Sequence, residues 1–453
     1  MQIRKAILRF IGVIFLIVFS WAIVLTSQAV LESNTNKNLH HVPRDVTFAM
    51  RLDGREIAEK TLFSVFLESK DGDVLKLIQE SLRRDLKTDS KIKNYGVDYL
   101  SDIVFFQIPV GITTVEGLLL NVNSEPLFAQ NLKESKYVFS VKDNVGVILT
   151  IPPQNKVKRS DLQLIADRIV STENDHKMEK FFANHDTGKF IETYNKGSFF
   201  GKTSVFGQTN VLFELQDNSL LLGGNIDFNE GQENKAMELK KILQPKGLHF
   251  SSAIVPAALS DTLNHWLKQF GITIPEISSV SMNYMGANIV NHSSGYFVVP
   301  QIELLIDCKD NVDIESIVNN EELSHFFDYS QKKGQIHIQN EILYYKKISP
   351  TSFYVGINPS PTFASAKKKE MMLLNGGLSP IMNIHGGGMM MSFITIIPEF
   401  RAAKLLADHT KEINVRFVKI NNRKAYLKGE LKFREGYYPM NELMKIALIT
   451  QAE

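Results

Sequence analysis

The 453-residue chain carries 51 Lys and Arg against 49 Asp and Glu, a net charge of +2, with 44% hydrophobic and 22% charged residues. These proportions belong to a folded globular protein long enough for two or three cores and exclude a disordered one. The balanced charge, spread along the chain, leaves no nucleic-acid footprint, and the single cysteine, Cys308, excludes an intrachain disulfide or a cysteine metal cluster.

Residues 1–9 hold Arg4, Lys5 and Arg9 and precede an uncharged, largely apolar run over 10–30. As a helix that run would rise about 31 Å, close to the hydrocarbon thickness of a bilayer. The cations on its N-terminal side place residues 1–9 in the cytoplasm and the bulk of the chain outside, as a single-pass protein of the cytoplasmic membrane. Ser27-Gln28-Ala29 also offers a signal-peptidase site, but the apolar core from Phe10 to Leu25 is longer than a usual signal-peptide core and favours an uncleaved anchor. Residues 31–42, polar and Asn-rich and including His40-His41, are expected to form a flexible stalk.

An α+β unit is expected over 43–244. Val46, Phe48, Met50 and Leu52 alternate as in a strand, and a helix should start after Asp53-Gly54. Over 73–87, Leu75, Ile78, Leu82 and Leu86 fall on one helical stripe. Strands follow at 103–108, 117–122, 137–141 and 145–151, then a helix capped by Ser160 with Leu162, Ile165, Ala166 and Ile169 inward. The stretch 172–210 reads as loop plus a sheet-edge strand. A hairpin turning at Asp217-Asn218 comes next, and Met237, Leu239, Ile242 and Leu243 then sit near helical spacing.

A second unit, 245–453, repeats the first. Asn210 to Gly231 and Asn414 to Gly436 share Asn210/Asn414, Val211/Val415, Phe213/Phe417, Asn218/Asn422, Gly224/Gly429, Phe228/Phe433, Glu230/Glu435 and Gly231/Gly436. Two weaker echoes accompany it. VGVILTIPP superposes Pro152 on Pro359, and the stretch from Pro245 puts Leu248, Phe250, Ile254 and Leu259 under Val46, Phe48, Leu52 and Ile57. Hairpin-linked strands with single helices between them argue for two tandem units of mainly antiparallel sheet backed by helices. The junction near Gln244-Pro245 is where a cleft would form.

Motifs that would carry chemistry are incomplete. His385-Gly386-Gly387-Gly388 matches an oxyanion-hole element, but Ser392, the only serine downstream of it, lacks the flanking glycines of a nucleophile elbow. Gly201-Lys202-Thr203 resembles the end of a P-loop, yet Lys196 stands where the first glycine is needed. Asp71-Gly72-Asp73 begins like a calcium loop, but Leu75 and Leu77 fill later ligand places. The 11 histidines make no metal-ligand spacing, and Lys367-Lys368-Lys369 reads as a solvated loop. Cys308 reads as a small core residue at the end of a buried strand. No catalytic, cofactor-binding or metal residue is assigned, and no nucleotide or nucleic-acid partner is expected.

The N-terminal anchor, the opening VPRDVTFAMRLDG and two units that each end in a hairpin with F-x-E-G together resemble membrane-tethered extracytoplasmic bacterial proteins of Bacteroidetes type, classed as domains of unknown function. The resemblance implies an envelope location and brings no catalytic residues. The expected function is a non-enzymatic anchored envelope protein whose duplicated body binds a partner protein or an apolar ligand. The alternative is an envelope hydrolase, acting on esters or glycans, with its site between the units.

Overall fold

A computed structural model describes residues 37–57, 60, 96–150, 157–172, 189–196, 206–229, 238–385 and 398–451, with short breaks inside these spans. The expected anchor over 10–30, the helix over 73–87, the Asp71-Gly72-Asp73 and Gly201-Lys202-Thr203 stretches and Ser392 lie outside the described residues. Among the described residues no helix is long and apolar enough to cross a membrane. The chain divides into two compact units, one of 1–202, 208–224 and 435–453, the other of 203–207 and 225–434.

The first unit contains β1 (Phe48–Leu52), β2 (Ile103–Val110), β3 (Thr113–Asn121), β4 (Val138–Lys142), β5 (Val145–Leu149), β6 (Lys189–Asn195) and β7 (Phe206–Leu215). They pair antiparallel in the spatial order β4-β5-β3-β2-β1-β6-β7. The hairpin to β8 (Ser219–Phe228) turns at Asp217-Asn218 as expected, with Gln216 N–H donating to the Ser219 carbonyl at 2.8 Å. The helix Arg159–Ser171 packs Leu162, Ala166 and Ile169 onto one face of this sheet, against Ala49, Val104, Phe106, Leu119 and Leu149.

The second unit contains β9 (Lys241–Leu243), β10 (Leu248–Ser252), β11 (Ile277–His292), β12 (Gly295–Cys308), β13 (Tyr329–Lys332), β14 (Gln335–Ile338), β15 (Glu341–Ser349), β16 (Ser352–Gly356), β17 (Phe363–Ser365), β18 (Glu370–Gly376), β19 (Ile384–His385), β20 (Thr410–Asn421) and β21 (Lys424–Phe433). Its antiparallel order is β13-β14-β15-β16-β12-β11-β10-β18-β20-β21. From β15 to β20 this repeats, strand for strand, the order from β4 to β7. The fold is α+β with two similar sheet-plus-helix regions.

The registers give a residue-level test of the repeat. Following hydrogen-bonded partners across the first sheet links Leu149, Gly117, Phe106, Ala49, Tyr194 and Asn210 in one row. The same walk across the second links Gly356, Glu303, Asn283, His249, Asn375 and Asn414. The row begins on the VGVILTIPP echo and ends on the Asn210/Asn414 echo, so two sequence matches from opposite ends of the sheet fix one common register. The weakest echo is corrected: Leu248 takes the place of Phe48, not of Val46. A two-residue slip preserves the alternation that defines a strand, so the hydrophobic pattern alone cannot detect it.

Other expectations are also revised. Residues 37–41 form a 3₁₀ turn rather than stalk, burying Asn38, Leu39, His41 and Val42 in the first unit, with His41 Nδ1 at 3.0 Å from the Ile169 carbonyl. The helix expected to be capped by Ser160 starts two residues earlier, at Arg159, and Lys158 holds the cap position without a side-chain bond. β6 is no edge strand, because β1 and β7 flank it. Lys241–Leu243, expected to be helical, is a strand paired with β17, and its apolar Ile242 and Leu243 are both buried. Other expectations hold. Asp53 Oδ1 accepts Glu56 N–H at 2.9 Å, capping a helix that begins at Gly54. The second hairpin runs on into the helix Pro439–Gln451, and Lys367-Lys368-Lys369 is exposed.

Candidate functional site

Each unit buries one polar cluster in its sheet. In the first, Arg51 on β1 points to the face covered by the helix Arg159–Ser171. Its guanidinium grips Asp102 twice, Nε at 2.6 Å and Nη2 at 3.0 Å, and also reaches Glu192 on β6 at 3.3 Å and Asp53 at 3.4 Å. Arg51, Asp102 and Glu192 are all buried. Burial alone would lower the Arg51 pKa, but the hydrogen bond and charge of Asp102, joined by Glu192 and Asp53, outweigh it and raise it. The planar fork of arginine suits this bidentate role.

In the second unit the position of Arg51 is held by Ser251, and the neighbouring row is polar. His249 Nδ1 lies 2.7 Å from Asn283 Oδ1, and His249 Nε2 lies 2.8 Å from Ser251 Oγ, which is 2.8 Å from Ser281 Oγ. Asn283 Nδ2 donates to Glu303 Oε2 at 2.7 Å and to the Gln244 carbonyl at 3.0 Å. That fixes the amide with its oxygen towards the ring, so Nδ1 donates to it, while the Ser251 hydroxyl donates onward to Ser281 Oγ. Burial lowers the His249 pKa, against the hydrogen bond to Asn283 and the charge of Glu370, both of which favour the protonated ring.

The order Ser251, His249, Asn283, Glu303 has the chemistry of a proton relay behind a nucleophile. Its accessibility argues otherwise. His249, Ser251 and Asn283 are 0% exposed and Glu303 is 3% exposed. Strand β9 lies over them, its Leu243 N–H donating to Ser281 Oγ at 2.9 Å. The arrangement satisfies polar groups inside a sheet.

The opposite face of the second sheet is the reverse. Registers put Leu248, Phe250, Met282, Tyr284, Ile302 and Leu304 side by side there, with Leu374 and Val415 beyond, and each is only partly buried. Val298, farther along β12 on this face, is 55% exposed.

Among the sequence motifs, His385 sits on β19, where it pairs with Asn288 on β11, and its glycines lie outside the described residues. Cys308 ends β12 in a cluster with Val312, Ile314, Val318 and Phe353, and burial, with Asp307 nearby, pushes its thiol up to about 11. No group of His, Cys, Asp or Glu among the described residues could hold a metal ion. Sequence reasoning missed both polar clusters. The visible signal was polar residues at period two inside apolar strands, His249 with Ser251 and Ser281 with Asn283.

No protein-family model and no curated protein matches the chain, so the resemblance to membrane-tethered extracytoplasmic proteins has no family model behind it. Two solved structures are similar to it. One is crystal form IV of TP0453, at 9% identity and TM-score 0.25, covering 42% of this chain and 79% of that one. The other is crystal form I of TP0453, at 10% identity and TM-score 0.26, covering 58% of this chain and 91% of that one. Likenesses this distant transfer neither residues nor activity.

Proposed function

We propose that this is a non-enzymatic protein held in the cytoplasmic membrane by residues 10–30, whose duplicated α+β body binds a partner protein or an apolar ligand outside the cytoplasm. The observation that carries the reading is the second unit's sheet: its polar row is sealed, and its opposite face is apolar and, beyond Val280 and Ile306 where Leu267 and Phe270 pack, only partly buried. A sheet normally turns its apolar face to the core, and a contiguous apolar face left partly exposed is the usual mark of a binding surface. The uncharged run over 10–30, with its preceding cations, supports the anchor and its orientation.

The test uses the full chain in its membrane. Protease added to spheroplasts, in which the outer barrier is removed and the cytoplasmic membrane is sealed, should remove a tag placed after Glu453, and the purified chain should retain a bound protein or an extractable apolar molecule that Phe250→Glu with Leu374→Glu releases. A protected tag, or a body that retains neither, would end this reading. The hydrolase alternative draws on the relay-like order of Ser251, His249 and Asn283. An esterase and glycosidase screen that finds turnover abolished by Ser251→Ala would establish it instead.

A further inference from the structure

The hairpin of β11 and β12 outgrows its counterpart. In the first unit β2 and β3 span 8 and 9 residues, whereas β11 and β12 span 16 and 14. Past the shared row, β11 runs on from Asn283 to His292 and β12 returns from Gly295. The result is an arm about four residue pairs, or roughly 14 Å, longer than the hairpin of the first unit. Its root is braced. Asn288 Nδ2 and Gln301 Nε2 donate to the two oxygens of Glu341 at 2.8 Å and 3.1 Å, and Ala287 N–H donates to the Asn383 carbonyl at 2.9 Å. A bulge between Tyr284 and Gly286 redirects the ribbon, and only glycine suits its end, where φ is 133° and a Cβ would stand 2.3 Å from that same carbonyl. A two-stranded ribbon is marginal in water by itself, so this bracing is what keeps the arm formed.

The arm is also free of charge. No Asp, Glu, Lys or Arg occurs from Ile277 to Ile302, where a run of ordinary composition would carry about six. Val298 is 55% exposed, Pro300 is exposed, and Ile289, which pairs with Val298, is half-buried. Beyond them the register pairs Val290 with Phe297 and Asn291 with Tyr296, before a polar turn of His292, Ser293 and Ser294. These features choose among partners. A protein is recognised through a polar and charged rim as well as an apolar centre, and the arm offers no charge to match. Addition of another strand is obstructed too. The Ile302 carbonyl accepts Ile357 N–H at 3.0 Å, so Ile302 turns its backbone outwards, and Pro300, two residues away, brings a missing donor to that same edge. A bilayer asks for neither. Aromatic residues suit its interfacial layer, where water still reaches the carbonyl groups of an open edge, and the polar turn favours lying along the surface over crossing it. The tether keeps it near. Leu39 and Val42 are buried in the first unit, and from residue 30 to residue 37 the chain can extend about 25 Å at most.

We propose that the β11–β12 arm is a membrane-contacting element, which lays the stretch 289–298 in the interfacial layer of a lipid bilayer. The inference rests on the reading of an anchored body that binds an apolar ligand, and it names lipid as that ligand. The first unit, whose hairpin stops short of this length, makes no such contact through β2 and β3.

The experiment places a fluorophore on the arm of the full chain reconstituted in phosphatidylcholine vesicles. Val298→Cys supplies the reactive thiol, because Cys308 is buried and its own thiol is pushed up to about 11. A nitrobenzoxadiazole label at Val298→Cys should shift to the blue and be quenched severalfold more strongly by lipids carrying a nitroxide near the headgroup than the same label at Lys368→Cys, an exposed site of the second unit. Flotation of the vesicles reports the anchor separately. A chain that floats with both labels quenched alike would overturn the arm and leave the anchor standing. A Val298→Cys label shielded from aqueous iodide but untouched by the lipid nitroxide would also overturn it, and would assign the arm to a protein partner or a second copy. Adding Ile289→Asp should abolish the quenching while the chain still floats. If flotation itself is lost with Ile289→Asp, the arm stands and the reading of residues 10–30 as an anchor fails. A chain that floats in no form would overturn both.

Discussion

At the centre of the first sheet, Phe106 and Ala49 fill the row that Asn283 and His249 fill in the second. The backbone is the same; what lies on top differs. A helix, Arg159–Ser171, covers the first row, and a helix satisfies its own backbone amides and carbonyls, so it offers the sheet only side chains such as Leu162 and Ala166. A two-stranded flap covers the second row. Strand β9 pairs on one side with β17 and continues into a segment whose backbone groups must still find partners, which only a polar row can supply. Even the glycines follow this logic. A Cβ at Gly117 would stand 2.3 Å from the Phe106 ring, so glycine there makes room for the ring. In the second unit Glu303 takes that place, and the glycine moves one strand over to Gly356, where a Cβ would stand 2.5 Å from the Tyr354 hydroxyl.

Exchanging the rows is the strongest way to break this comparison. Phe106→Asn removes a fully buried ring and leaves an amide beneath a helix that has nothing to offer it. The cavity costs about 3–5 kcal/mol and the unpaired amide about 1–3 more, so the first unit should be lost to denaturant far below the wild-type midpoint. If the variant unfolds with the wild type, the covering element does not dictate the row. Next in size is Arg51→Ala. It strands Asp102 and Glu192 without their cation and should cost about 3–5 kcal/mol in an unfolding titration. Because Ser251 holds this position in the second unit, Ser251→Ala should cost only about 1–2 kcal/mol, so the ratio of the two measures how differently one lattice position is used.

The two units should also answer acid differently. Burial holds His249 below the usual imidazole value, so the unfolded chain binds this proton more readily than the folded one. The stability it contributes is complete above the unfolded value and is lost as pH falls through that value towards the folded one. In the first unit burial pushes the Glu116 carboxyl up, opposed by the hydrogen bond from Gln107, and pushes Asp98 up against backbone bonds from Leu100 and Ser101. Those groups bind protons more readily when folded, so their slope has the opposite sign and falls in the carboxylate range. Unfolding followed between pH 7.5 and 5.5 should show the second unit weakening in the wild type and not in His249→Gln. Parallel slopes would mean that His249 does not govern this window.

How far the sequence was legible depends on which force set each feature. The hairpin residues Asn210 and Asn414, and Val211 with Val415, declared the repeat because turn geometry and strand pairing constrain local chemistry. That the two sheets share one strand order is what the repeat implies, whereas the order itself was not legible. The fate of Lys241–Leu243 was not legible either, since the adjacent apolar pair Ile242 and Leu243 fits a helix or a strand, and pairing with Phe363 to Ser365 decides between them. His41 read as stalk because its anchor, the Ile169 carbonyl, is 128 positions away. The polar row was the hardest to see. His249, Asn283 and Glu303 lie on three strands, and only their registers reveal that they touch.

The smallest expected effect separates the two units at the helix that follows the equivalent strands β3 and β12. In the second unit Asp313 caps Ile314–Val318, its Oδ1 accepting Ser316 N–H at 3.2 Å. In the first, Ser124 holds the cap of Glu125–Leu132 without a side-chain bond, and Pro126 supplies the first turn with a residue that has no N–H to satisfy. Asp313→Ala should therefore cost about 1 kcal/mol, and Ser124→Ala close to nothing, when midpoints are compared in denaturant. The asymmetry has a physical origin. A five-residue helix cannot average a missing bond over further turns and leans on its cap, whereas the longer one is held by Phe128 and Leu132 buried beneath it. Equal costs would mean that packing alone holds both helices, and that the units differ only in what covers their sheets.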